Sequence, residues 1–160
     1  MAENESIAQV YSVISKKSEL LHEFAELVTA YSGSNRDYGT GVQITMVEIH
    51  LLTTIEENPG ITVTELAVIK HKTPGAISQI IKKLENRGYI FRRPHEVHGK
   101  KMCFFPTDEG KLLSELHKQY DVRTISNTVD TLLERCGMDE VDTFFKVMEI
   151  YRDILIQRKN

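Results

Sequence analysis

Apolar residues recur at three- and four-residue steps along most of the chain, which is the spacing of an amphipathic helix. The first apolar stripe extends over about residues 5–31 and stops at the Ser-Gly-Ser of residues 32–34. At about 1.5 Å per residue, this helix spans roughly 40 Å. Such a length exceeds what a small domain needs, so we expect part of the stripe to meet another subunit. The segment SGSNRDYGTG, residues 32–41, is predicted to be a loop.

Three shorter helices in the middle of the chain are predicted from their capping residues. Thr45 with Glu48, and Thr62 with Glu65, have the capping-box spacing, in which a hydroxyl and a carboxylate satisfy the free amides of a helix start. Thr73 is followed by a proline, which is well tolerated in a first helical turn because its missing N–H would have no partner there. The three helices therefore begin near residues 46, 63 and 74.

A β-hairpin is predicted after the third short helix. Residues 89–94 and 101–105 have strand character, and the polar residues 95–100 between them predict a turn. Thr107 starts the next helix, a glycine at position 137 ends that region, and Asp139 is predicted to cap the last helix. Three helices followed by a hairpin make a winged helix-turn-helix. The predicted fold class is therefore mainly α with a small β-hairpin wing.

The third short helix has an unusual outer face. Ile77, Ile80, Ile81 and Leu84 cluster on one side of a helical projection, and the opposite side holds Gly75, Gln79, Lys82 and Asn86, with Ser78 at its edge. That face has almost no acid, and its glycine costs about 0.5–1 kcal/mol of helix stability relative to alanine. A helix in the major groove of DNA needs hydrogen-bonding side chains, no repulsion of phosphate and little bulk at its entering end. The face is therefore predicted to read DNA.

Charge is distributed unevenly along the chain. The net charge is only −3, but residues 61–101 hold nine basic and three acidic side chains, so this segment carries +6 and the remainder −9. A basic middle between acidic flanks is typical of a nucleic-acid-binding region inside an otherwise acidic protein.

Several function classes are excluded by the sequence pattern. No apolar run approaches the roughly 18 residues of a membrane span, and the polar, acidic N-terminus is unlike a signal peptide, so a cytoplasmic protein with no membrane partner is expected. Two cysteines do not suggest a disulfide framework. No nucleophile elbow, phosphate loop or catalytic carboxylate pair is present, so we expect neither an enzyme nor a cofactor.

The order of these elements and three motifs resemble the MarR family of bacterial transcription regulators. The motifs are ITVTELA at residues 61–67, TPGAISQIIKKLENRGYIFR at 73–92 and PTDEGK at 106–111. The resemblance covers nearly the whole chain, since a long first helix and two closing helices are also the family's layout. It implies a winged helix-turn-helix with N- and C-terminal dimerisation helices: residues 1–35 for dimerisation, 45–107 for DNA binding and 108–160 for further dimerisation.

The resemblance also implies partners. A family member of this kind is a homodimer that binds an inverted-repeat operator in double-stranded DNA, and a small aromatic effector releases it as a repressor. Residues of the apolar stripes that we expect at the dimer interface are Ile7, Val10, Ile14, Phe144, Phe145, Met148 and Tyr151.

The predicted DNA-binding residues follow from the outer face, the helix starts and the basic wing. They are Thr62, Thr64, Lys72, Thr73, Gly75, Ala76, Ser78, Gln79, Lys82, Lys83, Arg92, Lys100 and Lys101. Many family members have an Asp-x-Arg in the wing whose arginine enters the minor groove. Here the matching residues are His98, Gly99 and Lys100, so the basic role passes to Lys100 or Lys101, although lysine lacks the planar fork of arginine.

Two alternatives remain open at this point. Some members of the resembled family sense zinc, and Glu48, His50 and His117 are the candidates for convergence from two helices, but their spacing does not assign a metal site. Winged helices also serve as protein-interaction modules, and such a module would show no salt-sensitive DNA binding. Cys103 and Cys136 are interpreted as small packed residues rather than redox sensors.

Overall fold

The computed structural model describes residues 2–96 and 101–159, which form six helices and five short strands. In chain order the elements are α1 (Ala2–Gly33), β1 (Asn35–Asp37), β2 (Gln43–Thr45), α2 (Met46–Glu57), β3 (Ile61–Thr62), α3 (Val63–Ile69), α4 (Pro74–Asn86), β4 (Ile90–Pro94), β5 (Met102–Pro106), α5 (Asp108–Leu133) and α6 (Met138–Lys159). The mainly helical fold with a hairpin wing, as the sequence predicts, is confirmed.

One hydrophobic core holds α2, α3, α4 and the wing together. Ile49, Leu52, Leu66, Ile77 and Leu84 are fully buried in it, and they come from the apolar sides of three different helices. Complete burial of one such side chain contributes about 1.5–3 kcal/mol, so these contacts fix the relative positions of the three helices.

The predicted capping boxes are present at both helix starts. The hydroxyl of Thr45 accepts from the amide of Glu48, whose carboxylate accepts from the amide of Thr45 in return. Thr62 and Glu65 repeat the arrangement at α3. Thr73 accepts from the amide of residue 76 at the start of α4, as its position before a proline predicts.

Two strand pairings were absent from the sequence prediction. β3 pairs antiparallel with β5, with Ile61 opposite Phe104, so the wing is a three-stranded sheet in the order β3-β5-β4. The loop predicted at residues 32–41 is wrong in part, because residues 35–37 pair with residues 43–45 as β1 and β2. The carboxylate of Asp37 accepts from the amides of Gly39, Thr40 and Gly41, which closes the turn between these strands.

The predicted cap of the last helix is also wrong. α6 begins at Met138, so Asp139 lies inside its first turn rather than at the capping position. Gly137 occupies that position: its carbonyl accepts from the amides of Glu140 and Val141, and its own amide donates to the Glu140 carboxylate at 2.8 Å. Among the described residues, none of the helices combines the length and hydropathy needed to cross a membrane.

Candidate nucleic-acid interface

Helix α4 divides its residues between the core and the outside as the sequence predicts. Ile77, Ile81 and Leu84 are buried, Ile80 is half-buried, and Gln79 is exposed. The remaining predicted DNA-binding residues of α4 and the preceding turn are exposed as well, namely Lys72, Thr73, Gly75, Ala76, Ser78, Lys82 and Lys83. The outer face is therefore available to a partner that approaches the domain from this side.

A groove with both polar and apolar lining runs between the start of α3, the outer face of α4 and the wing. Six of the predicted DNA-binding residues line it: Thr62, Thr64, Ser78, Lys82, Arg92 and Lys101. These six come from three parts of the fold, the start of α3, the outer face of α4 and the wing, and the fold brings them to one concave surface. Lys100, with His98 and Gly99, lies outside the described residues.

The N-terminal turn of α4 offers space and an unpaired donor. Apart from its chain neighbours and the backbone of its own helix, no described residue has an atom within 4 Å of the position that a Cβ on Gly75 would take. Thr73 accepts from the Ala76 amide, and its carbonyl accepts from the Ile77 amide. The Gly75 amide has no hydrogen-bond acceptor among the described residues, as is usual for a donor in the first turn of a helix. An exposed amide at a helix start is a ready site for a phosphate oxygen.

The hydroxyl of Ser78 is already used as a donor. It donates to the Pro74 carbonyl at 2.8 Å, one turn earlier in α4. In this conformation its oxygen can only accept, so it suits the amino groups of adenine or cytosine better than a phosphate. The amide of Gln79 has no hydrogen-bond partner within the described part of the chain, which leaves both its donor and its acceptor for a base pair.

An acidic residue lies in the groove beside the wing arginine. Glu85 is 3.5 Å from the Nε of Arg92, with the glutamate side chain 24% exposed and the arginine 61% exposed. Next to it, the guanidinium of Arg93 stacks over the rings of Phe91 and Phe105. The ion pair with Glu85 holds Arg92 in the groove, whereas Arg93 lies on the opposite face of β4, because successive side chains of a strand alternate faces.

Lys83 and Arg87, at the end of α4, meet a buried carboxylate of α2. The ammonium of Lys83 is 3.2 Å from Glu48 Oε1, and a guanidinium nitrogen of Arg87 is 3.7 Å from Glu48 Oε2. Arg87 also donates to the Gln43 carbonyl at 2.7 Å. Lys83, a predicted DNA-binding residue, therefore faces Glu48 on the side of α4 that packs against α2.

Glu48 stays ionised in this position. Burial acts to raise its pKa, but the hydrogen bonds from Thr45 and the ammonium of Lys83 outweigh burial, so the pKa lies below its ordinary value. A charged carboxylate with Thr45, Lys83 and Arg87 as its partners links the first turn of α2 to the last turn of α4.

A second polar cluster lies away from the groove, between α2 and α5. His50 of α2 and His117 of α5 both direct Nε2 toward Oδ2 of Asp121, at 3.8 and 3.3 Å. Burial, opposed by the charge of Asp121, lowers the pKa of both histidines from the ordinary value. Glu48, the third residue considered with these histidines from the sequence, is not part of the cluster.

Asp121 and the Glu48 network were missed by sequence reasoning. The i, i+4 spacing of His117 and Asp121 on one helix is a signal that could have predicted their contact. No local signal pairs Glu48 with Lys83 and Arg87, because these contacts depend on how α2 packs against α4.

The middle of the chain is similar to a known protein family. Residues 44–101, which extend from β2 through the wing, match the model of the MarR family. The described structure superposes on the crystal structure of a mutant MarR from E. coli complexed with operator DNA, with a TM-score of 0.70 and 19% sequence identity over 88% of this chain and 96% of that one. The superposition confirms the winged helix-turn-helix fold.

Two curated proteins of Bacillus subtilis (strain 168), each described as an uncharacterized HTH-type transcriptional regulator, are also similar. YhjH is 36% identical over 84 residues, which is 52% of this chain and 48% of YhjH. YybA is 30% identical over 94 residues, which is 59% of this chain and 63% of YybA. The chain thus spans from about half to under two thirds of the length of these relatives.

Proposed function

We propose that the chain is a homodimeric, sequence-specific DNA-binding regulator of transcription of the MarR family, whose model residues 44–101 match. We further propose that it acts as a repressor that a small molecule releases. The likeness to HTH-type regulators supports the expectation of a DNA-binding protein rather than an enzyme.

The observation that carries this proposal is the convergence of six polar and basic side chains on one groove beside an exposed helix face. The outer side of α4 offers Gln79 for base contact, the Gly75 amide for phosphate and Lys82 for either. Direct contacts to bases specify sequence, whereas Arg92 and Lys101 at the wing supply attraction to the backbone.

Residues 45–107 are proposed as the DNA-binding unit, with residues 1–35 and 108–160 as dimerisation helices. Support comes from the apolar surface of the outer helices: Ile7, Val10, Ile14, Phe144, Phe145 and Met148 are each at least 40% exposed, and Tyr151 is half-buried. Monomeric proteins seldom leave so much apolar surface in contact with water. A two-fold dimer would present two copies of α4 to the half-sites of an inverted repeat.

A small aromatic effector is proposed to bind between the dimerisation helices and the winged region. The ring of Tyr38 lies 5.0 Å from that of His117 and 5.2 Å from that of Tyr120, and the Tyr38 hydroxyl is buried with no hydrogen-bond partner among the described residues. An effector that weakens DNA binding must favour one dimer arrangement over the other, and a difference of about 1–3 kcal/mol suffices.

The proposal is tested by selecting DNA from a random duplex pool with the purified full chain, followed by titration of the selected duplex against salt. We expect enrichment of a palindrome and a steep loss of affinity with rising salt, because phosphate contacts release counterions. No enrichment, with only weak binding to all duplexes, would instead support the interaction module.

Gln79→Ala tests which residue reads the sequence. We expect a loss of about 1–3 kcal/mol in binding to the selected operator and little change on unrelated DNA, since a bidentate base contact is lost. Gln119→Ala removes the same group from the exposed side of α5 and is the matched control. An equal loss on both DNA types would show that Gln79 contacts the backbone only.

A further inference from the structure

Glu85 places an acidic side chain in the groove that is proposed to bind DNA. It lies in the last turn of α4 and lines the groove together with the cationic side chains of Lys82, Arg92 and Lys101. Among the described residues that line this groove, Glu85 is the only acid. A phosphate backbone that approaches the groove would therefore meet three positive charges and one negative charge that repels it.

The position of Glu85 on α4 places it on the same side of the helix as two of the proposed DNA contacts. At about 100° per residue, Ser78, Lys82 and Glu85 fall within about 60° of one another around the helix axis. All three line the groove. One side of α4 therefore presents a hydroxyl, an ammonium and a carboxylate to the same partner.

The local structure of the helix gives no reason for an acid at this position. The C-terminal end of a helix carries a partial negative charge, so a cation is favoured in the last turn and a carboxylate is repelled. Glu65, an acid whose charge interacts with that of Lys101, has a capping role instead, because its carboxylate accepts from the amide and the hydroxyl of Thr62 at 2.8 and 2.7 Å. Glu85 has its ion-pair contact with Arg92 of the wing.

The contact between Glu85 and Arg92 attracts the guanidinium without fixing its orientation. Nε of Arg92 is 3.5 Å from Oε1 of Glu85, whereas a charge-assisted hydrogen bond is about 2.7–2.9 Å long. The arginine side chain remains 61% exposed, so it is free to turn from the carboxylate to a phosphate. Such a contact acts as a competitor for the arginine rather than as a rigid support.

We propose that Glu85 competes with DNA phosphate for Arg92 and thereby lowers the affinity of the winged region for every duplex. This inference rests on the proposed DNA binding and adds the residue that limits its strength. A contact between Arg92 and a phosphate requires the ion pair to be broken, and this requirement opposes binding on any sequence. Glu85 therefore sets the strength of backbone binding, whereas the outer face of α4 determines the sequence preference.

The test compares the wild type with Glu85→Gln, which keeps the shape of the side chain and removes its charge. Each full chain is titrated with an unrelated duplex and with the selected operator. We expect the variant to bind both duplexes more tightly, by about two- to fivefold for each half-site, because an exposed ion pair no longer has to be broken. Unfolding curves show whether the variant keeps the stability of the wild type.

The salt dependence of binding gives a second measurement of the same effect. In the wild type, the counterion that Arg92 releases from a phosphate is offset by one that the uncovered Glu85 carboxylate attracts. Without this carboxylate, the plot of log affinity against log salt should steepen by up to about one unit of slope for each bound protomer.

Arg92→Gln shows whether Glu85 acts through this arginine. In the Arg92→Gln background, Glu85→Gln should change the affinity little, because no guanidinium is left to be released. Glu115→Gln removes a carboxylate from the exposed side of α5 and is the matched control for the change in net charge. We expect it to bind both duplexes as the wild type does.

Two results would overturn this inference and leave the proposed function intact. The first is a wild type that binds DNA while Glu85→Gln has equal or lower affinity, since a lower affinity would mean that Glu85 supports Arg92 in its contact with DNA. The second is a gain that persists in full in the Arg92→Gln background or appears equally in Glu115→Gln. A wild type that binds no duplex would overturn the proposed function and this inference together.

Discussion

Gly75 and Gly110 lie near the starts of two helices, but their surroundings differ completely. A Cβ on Gly75 would meet open space, whereas a Cβ on Gly110 would lie 2.0 Å from the Tyr89 carbonyl oxygen and 3.3 Å from Leu52. The first glycine leaves room for a partner that is absent from the protomer. The second glycine lets α5 pack closely against the backbone of Tyr89, immediately before β4 of the wing.

Gly75→Ala should separate stability from function. We expect the free energy of unfolding to rise by about 0.5–1 kcal/mol, because alanine is the better helix former, while affinity for the operator falls as the methyl group meets the DNA backbone. Chemical denaturation and operator binding measure the two effects. Unchanged operator affinity would show that α4 does not enter the groove by this end.

Gly110→Ala should damage the fold itself. The added methyl group overlaps backbone atoms that cannot rotate away, so we expect a loss of about 1–3 kcal/mol or more in the free energy of unfolding. The comparison with Gly75→Ala holds the chemical change constant and varies only the space around it. Stability equal to the wild type would mean that α5 can move away from Tyr89 without cost.

For single residues, the sequence predicts those interactions whose partners lie a few positions away in the chain. The hydroxyls of Thr45, Thr62 and Thr73 cap helices as expected, because each cap needs only the amides that follow it. Asp121 and the ion pairs of Glu48 were not predicted, because their partners are set by packing between helices.

Among the elements, α2 and α4 are joined by charge as well as by apolar contacts. Glu48 is 9% exposed in its side chain and holds both Lys83 and Arg87. The Lys83 side chain is 65% exposed and stays hydrated, but that of Arg87 is only 30% exposed, so removing the charge of Glu48 leaves a partly buried guanidinium without an opposite charge, which is costly. The orientation of α4 therefore depends on a residue that lies outside the proposed DNA contacts.

Glu48→Gln should loosen this attachment. We expect a loss of about 1–3 kcal/mol in the free energy of unfolding and a lower ratio of operator to unrelated-DNA affinity, since Lys83 and Arg87 lose their anchor and remain cationic. Glu115→Gln, on the exposed side of α5, is the control. If the affinity ratio were unchanged, Glu48 would contribute to stability alone.

The prediction of elements succeeded for helices and failed for isolated strands. Capping residues and apolar stripes predict α2, α3 and α4 from the sequence. In contrast, β3 has only two residues and forms because Ile61 pairs with Phe104 of β5, which is distant in the sequence. Strands of two or three residues carry too little alternation to be recognised without their partners.

In the whole molecule, the unpartnered apolar surface is concentrated on α1, α5 and α6. Phe24 of α1 lines one groove together with Val129 of α5 and Phe144 and Phe145 of α6. This surface contrasts with the winged region, whose apolar side chains are mostly buried in the core. The asymmetry agrees with association through the terminal helices.

Phe145→Asp should therefore convert the protein from dimer to monomer. We expect sedimentation of the wild type at twice the chain mass of 18.3 kDa and of the variant at the single mass, because a carboxylate would be buried without a partner. Val68→Asp, at a 69% exposed position of α3, should leave the mass unchanged. A monomeric wild type at tens of micromolar would contradict the proposed assembly.

The pairing of β3 with β5 determines which segments must be exchanged together when the wing is moved between related proteins. Thr62 is at once a strand partner of Cys103 and the residue that caps α3. A wing transplanted from another protein as residues 90–106 alone would therefore meet a foreign strand at its inner edge and disturb the start of the neighbouring helix. In a chimera, Ile61 and Thr62 therefore have to be transferred together with the wing, although 27 residues separate them from it along the chain.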